Sequence, residues 1–219
     1  MSFVLDNVVG TTNILDFARI NKKLENFIYF STDEVFGPAP KGIRYKEDDR
    51  YRSGNPYAAT KAGAEELCVA YANTYKLPIM VSHTMNVFGE RQHPEKFIPK
   101  IIKSCLNNST ITIHANKTKT LAGSRFYIYS GDVADALLFL LRNGKAGEKY
   151  NVVGNKEINN LLLAKSIAKI LGKKLQYKLV DFHSARPGHD LRYALNSNKI
   201  KKKIGWKPIY GFEKGLFKT

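Results

Sequence analysis

Tyr57 and Lys61 stand four residues apart in Tyr-Ala-Ala-Thr-Lys, so on a helix they share one face. A phenol, with a pKa of about 10, is a poor base at neutral pH, and an adjacent ammonium favours the phenolate and lowers that value. Alone, the spacing also describes an ordinary surface pair, and its setting is what gives it meaning. About 25 residues earlier lies Phe27-Ile-Tyr-Phe-Ser31, a short continuous apolar run that reads as a strand buried on both faces. The run leads into Ser31-Thr32, a source of hydroxyls at the carboxyl edge of a sheet, where α/β enzymes hold their ligands. Asp33 and Glu34 follow directly. Two adjacent carboxyl groups suit general acid and general base work, and acids are also at home at a helix N-terminus. Consecutive residues of an extended strand point opposite ways, so a shared task requires the chain to turn at Asp33-Glu34.

These residues need elements to hold them. Residues 2–19 read as a helix, with Val4, Val8 and Leu15 at helical spacing, and residues 57–76 as a second helix started by Asn55-Pro56. Strand 79–82 comes next. Further along, the pattern predicts helices near 95–106, 132–142 and 160–171, strands near 111–114, 126–129 and 149–153, and a last short helix ending before Gly205. Alternation of this kind indicates an α/β fold with parallel strands. A nucleotide-binding α/β domain opens with a strand, a Gly-rich turn and a helix. This sequence opens in a helix, contains no G-x-G-x-x-G, and stops at Phe-Glu-Lys-Gly-Leu-Phe-Lys-Thr where a helix has barely begun. The expectation is a piece cut at both ends.

Composition narrows the classes. The net charge of +16 comes from lysines that are mostly scattered. The one run, Lys199, Lys201, Lys202 and Lys203, is interleaved with Ile200 and Ile204, as on a solvated helix face. No zinc finger or Gly-rich basic segment points to nucleic acid. No apolar run approaches the roughly 20 residues of a membrane span, and Met1–Gly10 lacks the basic start and small-residue cleavage site of a secretory leader. Cys68 and Cys105 have no metal-ligand spacing, so no metal site is expected; both read as buried free thiols in a reducing, cytoplasmic compartment.

The arrangement of Thr32, Tyr57 and Lys61 resembles the Ser/Thr–Tyr–Lys triad of the short-chain dehydrogenase/reductase superfamily, and the resemblance covers the whole chain. Asn7-Val-Val-Gly-Thr11 resembles the N-x-x-G-T of the preceding helix, and Asn86-Val-Phe-Gly89 the N-x-Y-G of the extended, nucleotide-sugar branch. Three stretches are more specific to the dTDP-glucose 4,6-dehydratases within that branch. Ser31–Gly37 is similar to STDEVYG, Pro94–Pro99 to PEKLIP, and Arg186-Pro-Gly-His-Asp-Leu-Arg-Tyr193 to RPGHDxRY. The resemblance implies a truncated Rossmann-type doubly wound parallel sheet with a smaller α/β substrate-binding lobe. Residues 1–89 would be the C-terminal part of the NAD-binding domain, and residues 90–219 mainly the nucleotide-sugar lobe, with some segments returning to the core.

The resemblance also implies roles. Tyr57 would take the proton of the sugar C4 hydroxyl as hydride passes to NAD, Thr32 sharing the hydrogen bond and Lys61 holding the cofactor ribose. Glu34 would remove the C5 proton, and Asp33 would protonate the departing C6 hydroxyl. Asn7, Ser31, Tyr57 and Lys61 would border NAD. Asn86, Lys96, Arg125, Arg186 and His189 would hold the nucleotide-diphosphate sugar. Arg125-Phe-Tyr127 and Lys156-Glu157 depart from the family's R-D-W-x-Y and N-E, at positions where base and ribose would sit. The resemblance further implies a homodimer packed through the helices at 2–19 and 57–76, and a chain inactive without its Gly-rich cofactor segment. Two other readings stay open: an epimerase or decarboxylase of the same branch, and a silent fragment that binds or dimerises.

Overall fold

Asn55-Pro56 does start a long helix. The Asn55 side chain accepts a hydrogen bond from the Ala58 amide at 2.9 Å, and Pro56, whose missing N–H costs nothing there, opens the helix. The computed structural model describes residues 1–182 and 191–219. Its helices are α1 (Gly10–Ile20), entered through the π-helical stretch Val4–Val9, α2 (Pro56–Tyr75), α3 (Phe97–Leu106), α4 (Ser130–Asn143), α5 (Asn160–Ile170) and α6 (Gly211–Lys218). The strands are β1 (Phe27–Thr32), β2 (Ile79–Thr84), β3 (Val87–Phe88), β4 (Ile111–Ala115), β5 (Ser124–Arg125), β6 (Ile128–Tyr129), β7 (Lys149–Val152), β8 (Ile158–Asn159) and β9 (Tyr177–Asp181). The chain is a Rossmann-like α/β fold with parallel sheets.

The chain divides into two units, the first formed by Met1–Met85, Ala134–Val153 and Ala194–Lys207. Its sheet has the order β1-β2-β7, all parallel, with Phe27 opposite Ile79 and Thr32 opposite Thr84. β2 is central and buried along its whole length, with Ile79, Met80 and Val81 followed by the buried polar residues Ser82, His83 and Thr84. β1 departs from the expectation of burial on both faces. It is an edge strand among the described residues, so Phe30 is exposed and Phe27 and Ile28 are half-buried. Leu15 of α1 and Ala64 and Cys68 of α2 pack with Tyr29, Ile79 and Val81 of the sheet, so both helices cover the same face. A π-helical turn at Lys199–Lys203 takes the place of the predicted last short helix, with Ile200 buried, Lys202 and Lys203 exposed, and Lys199 paired with Glu148 at 2.6 Å.

The second unit comprises Asn86–Val133, Gly154–Tyr193 and Pro208–Thr219. Ile98, Ile101 and Cys105 of α3 pack with Ile111 and Ile113 of β4 and with Leu163 and Ile167 of α5. The predicted strand at 126–129 is split. β5 pairs antiparallel with β8, β6 pairs parallel with β3, and Phe126-Tyr127 runs buried between them. β9, parallel to β4, was not marked by the sequence pattern, because Tyr177-Lys-Leu-Val-Asp181 is too short and mixed to stand out. The last described element is α6, two turns long. Its entry is held by the buried carboxylate of Asp132, which accepts from the amides of Ile209, Tyr210 and Gly211 at 2.7, 2.8 and 3.1 Å. Gly154 is required by contact: a Cβ there would lie 1.9 Å from the Tyr127 carbonyl oxygen. Gly154→Ala is therefore expected to cost about 1–3 kcal/mol, the range for overpacking, and to lower the urea midpoint of unfolding by a matching amount.

Candidate active site

Thr32 is the last residue of β1 and has extended backbone angles; its Oγ1 accepts from the Glu34 amide at 3.3 Å and donates to Asp33 Oδ1 at 3.1 Å. That cap turns Asp33–Phe36 into a single 3-10 turn, which breaks the strand's alternation where both carboxyls are needed. The turn leaves through Gly37 at φ +74°, where a Cβ would meet the Arg52 carbonyl oxygen at 2.4 Å. Asp33 is buried, and Glu34 Oε2 accepts from Asn55 Nδ2 at 2.8 Å. Asn55 thus holds the start of α2 with its oxygen and the site carboxylate with its nitrogen.

Tyr57 lies within the influence of both acids. Burial first, then the charges of Glu34 and Asp33, push its phenol above the ordinary tyrosine value, and a hydrogen bond with Thr32 acts the other way. This differs from the expectation that Lys61 lowers it. Lys61 shares the helix face with Tyr57, but its Nζ donates to the Phe30 carbonyl oxygen at 2.7 Å and sits over the Tyr29 ring at 4.2 Å. Burial pulls the Lys61 ammonium below the usual lysine range, while the charge of Glu65 works to hold it up. The Phe3 ring meets the Tyr57 ring edge-on, with centroids 5.7 Å apart.

Ser31 and Asn7 have structural partners in this unit. Asn7 Nδ2 donates to Thr60 Oγ1 at 2.9 Å, tying the π-helical stretch before α1 to α2. Ser31 Oγ donates to Glu65 Oε1, and Tyr51 Oη to Glu65 Oε2. Glu65 belongs to a buried polar cluster that the sequence reading missed. His83 Nε2 meets Glu65 Oε2 at 2.9 Å, and His83 Nδ1 meets Asn151 Oδ1 at 3.0 Å. Lys149 Nζ donates to Tyr51 Oη at 2.7 Å and lies 3.8 Å from Glu65. The available signal was the spacing of Glu65, four residues after Lys61 on a helix whose neighbouring faces are apolar.

In the second unit the sequence-predicted substrate residues are spread out. Asn86 is exposed, and its carbonyl accepts from the Ile128 amide at 3.1 Å. Lys96 is exposed at the entry of α3. Arg125 is fixed in orientation: its Nη1 donates to the carbonyls of Ser124 and Leu191 at 2.7 and 2.6 Å, and its guanidinium stacks on Tyr193 at 4.8 Å. Arg186 and His189 lie outside the described residues. Glu157, at one of the departures from the family pattern, pairs with Arg192 through bonds of 2.7 and 3.1 Å.

This constellation is a hydroxyl–phenol–ammonium set at the carboxyl end of a parallel strand, joined by two turned carboxyls. The GDP-mannose 4,6 dehydratase family model matches residues 1–219, and the chain belongs to that family. It is 40% identical over 214 residues to a low-salt glycan biosynthesis protein of Haloferax volcanii, covering 98% of this chain and 66% of that one. It is 36% identical to the human dTDP-D-glucose 4,6-dehydratase, covering 99% of this chain and 61% of that enzyme. Among solved structures, the dTDP-glucose 4,6-dehydratase DesIV of Streptomyces venezuelae, with NAD and TYD bound, matches at a TM-score of 0.90 with 31% identity, over 100% of this chain and 66% of that one. A UDP-glucose 4-epimerase of Thermus thermophilus in complex with NAD matches at 0.88 with 29% identity, over 97% of this chain and 68% of that one.

The buried cluster makes a pH prediction. Burial pushes the Glu65 carboxyl up, but the bond and charge of His83 and the bonds from Ser31 and Tyr51 outweigh it and hold the group below the usual carboxylate range. With the folded value below the unfolded one, the unfolded chain binds the extra proton, so this stabilisation is complete above the unfolded value of about 4.3. It is lost as pH falls from there through the folded value. Thermal melts should show Tm declining over that acidic window, and Glu65→Gln should flatten the decline. Glu65→Ala, which strands the buried Ser31 and His83 and the half-buried Tyr51, is expected to cost about 3–5 kcal/mol at pH 7 by urea denaturation.

Proposed function

We propose that this chain carries the catalytic residues of a nucleotide-sugar 4,6-dehydratase of the dTDP-glucose type. The observation that supports it best is the pair Asp33–Glu34, turned by the Thr32 cap so that both charges act on Tyr57. NAD is the cofactor named with the Streptomyces and Thermus structures, and when bound it supplies a hydride acceptor and donor for the sugar. The residues present fit the reactive end of such a group, because Tyr57 and Lys61 open α2 beside the hydroxyls of Ser31 and Thr32 at the carboxyl end of β1.

Each residue then has a proton to hold or move. Tyr57 takes the proton of the sugar O4, and its raised phenol requires a nearby cation to do so at neutral pH. Thr32 shares that hydrogen bond. The 4-ketone acidifies the C5–H bond, and Glu34, oriented by Asn55, removes that proton. Asp33, buried beside Thr32, gives its proton to the departing O6. Lys96, Arg125 and Asn86, with Arg186 and His189, are assigned to the nucleotide diphosphate, where cationic and amide donors suit phosphate oxygens.

A dimer through the first two helices is part of the same reading. Phe3, Val4, Leu5, Val9, Ile14, Phe17 and Ile20 are all exposed along the first helical stretch, more apolar surface than an isolated helix face leaves in water. Two buried free thiols suit a reducing, cytoplasmic setting.

The decisive experiment uses a chain lengthened to include a Gly-rich cofactor unit, supplied with dTDP-glucose in deuterated water. The 4-keto-6-deoxy product should carry deuterium at C5, because elimination of the C6 hydroxyl requires that bond to break. Glu34→Gln should retain oxidation at C4 and lose elimination, and Asp33→Asn should slow water loss by roughly 10²–10⁴-fold. A C4-epimerised product with no deuterium at C5 would move the assignment to an epimerase. For the assembly, sedimentation at micromolar concentration should give a dimer, and Phe17→Glu should shift it to monomer.

A further inference from the structure

Under the reaction proposed above, the protons of one turnover leave two groups of the site out of balance. C5 loses a proton to Glu34 and regains one in the product, so Glu34 ends as it began. Tyr57 ends with the O4 proton added, and Asp33 ends with one proton fewer, gone with the departing water. Before the two can act again, one proton has to pass from the phenol to the carboxylate.

The side chain shared by the two is Thr32. A hydroxyl has one proton to donate and two lone pairs to accept with. Thr32 Oγ1 donates to Asp33 Oδ1 at 3.1 Å, and one lone pair takes the Glu34 amide at 3.3 Å. The second lone pair is left for the hydrogen bond with Tyr57, and a neutral phenol fills it by donating. Because an amide can only donate, it fixes the order of the chain: Tyr57 O–H to Thr32 O–H to Asp33. Thr32 and Asp33 are both buried, so this chain is a shorter route than bulk water. We propose that Thr32 is a proton relay that returns the proton gained by Tyr57 to Asp33. The Thr32 O–H bond breaks as its proton joins Asp33 Oδ1, and the Tyr57 O–H bond breaks as its proton joins Thr32 Oγ1. One proton has then moved from phenol to carboxyl, the threonine is unchanged, and no further reactant is consumed. The relay rests on the dehydratase reading, since only there does one group gain and the other lose a proton.

The electrostatics of the site agree with it. A phenolate beside ionised Asp33 and Glu34 would crowd like charges, and the relay lets the phenolate and the Asp33 carboxylate alternate instead of coexisting. The charge of Asp33 is one of those that hold the proton on Tyr57, so its opposition disappears as Asp33 takes that proton up. Thr32 then donates to the phenolate, the sense in which their bond works to lower the phenol's pKa.

The test separates relaying from positioning. Thr32→Val removes the hydroxyl, and Thr32→Ser keeps one. Thr32→Asn keeps a capping acceptor for the Glu34 amide but offers an amide that does not pass protons, so the test stands even where valine disturbs the turn. In this chain labelled with ¹³C at tyrosine Cζ, its fold checked by circular dichroism, Thr32→Val should raise the Tyr57 titration by about 0.4–1 pH unit, the loss of one hydrogen bond to the phenolate. In the lengthened chain loaded with NAD and supplied with dTDP-glucose, the Val and Asn variants should oxidise C4 and then stall. Reduced nicotinamide should build up in them and water loss should slow roughly 10²-fold, while Thr32→Ser stays within roughly tenfold of the parent. Imidazole, a diffusible proton carrier, should restore part of the lost rate to the Val and Asn variants. A Tyr57 titration indifferent to Thr32→Val overturns the relay. So does an equal slowing of oxidation and water loss with no response to imidazole, the mark of positioning alone; the parent still dehydrates its substrate in that case, and the dehydratase reading stands. A C4-epimerised product from the parent sinks that reading and the relay with it.

Discussion

Glu65 is a carboxylate with no exposure to solvent, and a buried charge is tolerated only when its surroundings are arranged around it. Here the arrangement includes every element that positions the site. Glu65 stands on α2 four residues past Lys61, receives Ser31 from β1, faces His83 on β2, and is reached by Lys149 from β7. Ser31 immediately precedes Thr32. A shift of α2 by one turn would leave the carboxylate unpaired, so the same bonds that satisfy it set the axial position of Tyr57 against the end of β1. Apolar packing of Ala64 and Cys68 holds the helix to the sheet without specifying that register. The polar cluster specifies it.

Within that frame the electrostatics of the site conflict by construction. The two acids that suit elimination sit close enough to Tyr57 to oppose ionisation of its phenol, and burial opposes it further. On the proposed reading Tyr57 is a general base that works only with a compensating cation, and Lys61, on the same helix face, is bonded to a backbone carbonyl. Burial also disfavours the charge on Lys61, so a carbonyl acceptor and the face of Tyr29 are a stable resting place for it.

The elements that carry the site were readable because their signals are local. The Asn55-Pro56 start, the apolar run of β1 and the Asp33–Glu34 turn each follow from a few adjacent residues and a known backbone preference. Features set by long-range partners were not. The exposure of Phe30 goes with the place of β1 at the edge of the sheet among the described residues, which its own sequence, as apolar as that of a central strand, does not record. The route of Lys61 depends on a carbonyl that becomes available only there. Glu65 and His83 are separated by 18 positions and meet through the β1–α2–β2 crossover, so no window of sequence contains the pair. β9 is joined to β4 across more than 60 residues and has too little alternation to be seen alone.

The fold by itself does not choose the reaction. A dehydratase and an epimerase structure match this chain almost equally well, at TM-scores of 0.90 and 0.88, as expected where one fold hosts more than one activity. The choice comes from a stretch of three residues. Epimerisation at C4 needs the phenol and its cation and never breaks the C5–H bond, so a carboxylate pair beside the phenol would only raise the phenol's pKa to no benefit. Elimination needs a base at C5 and an acid at O6 together, and a straight strand cannot deliver both from adjacent positions. The Thr32 cap, the 3-10 turn and the Asn55 bond to Glu34 break the strand where both carboxyl charges act on Tyr57, at a cost to its phenol. On the proposed reading, a site that accepts that cost has a use for both acids, and the use is removal of water.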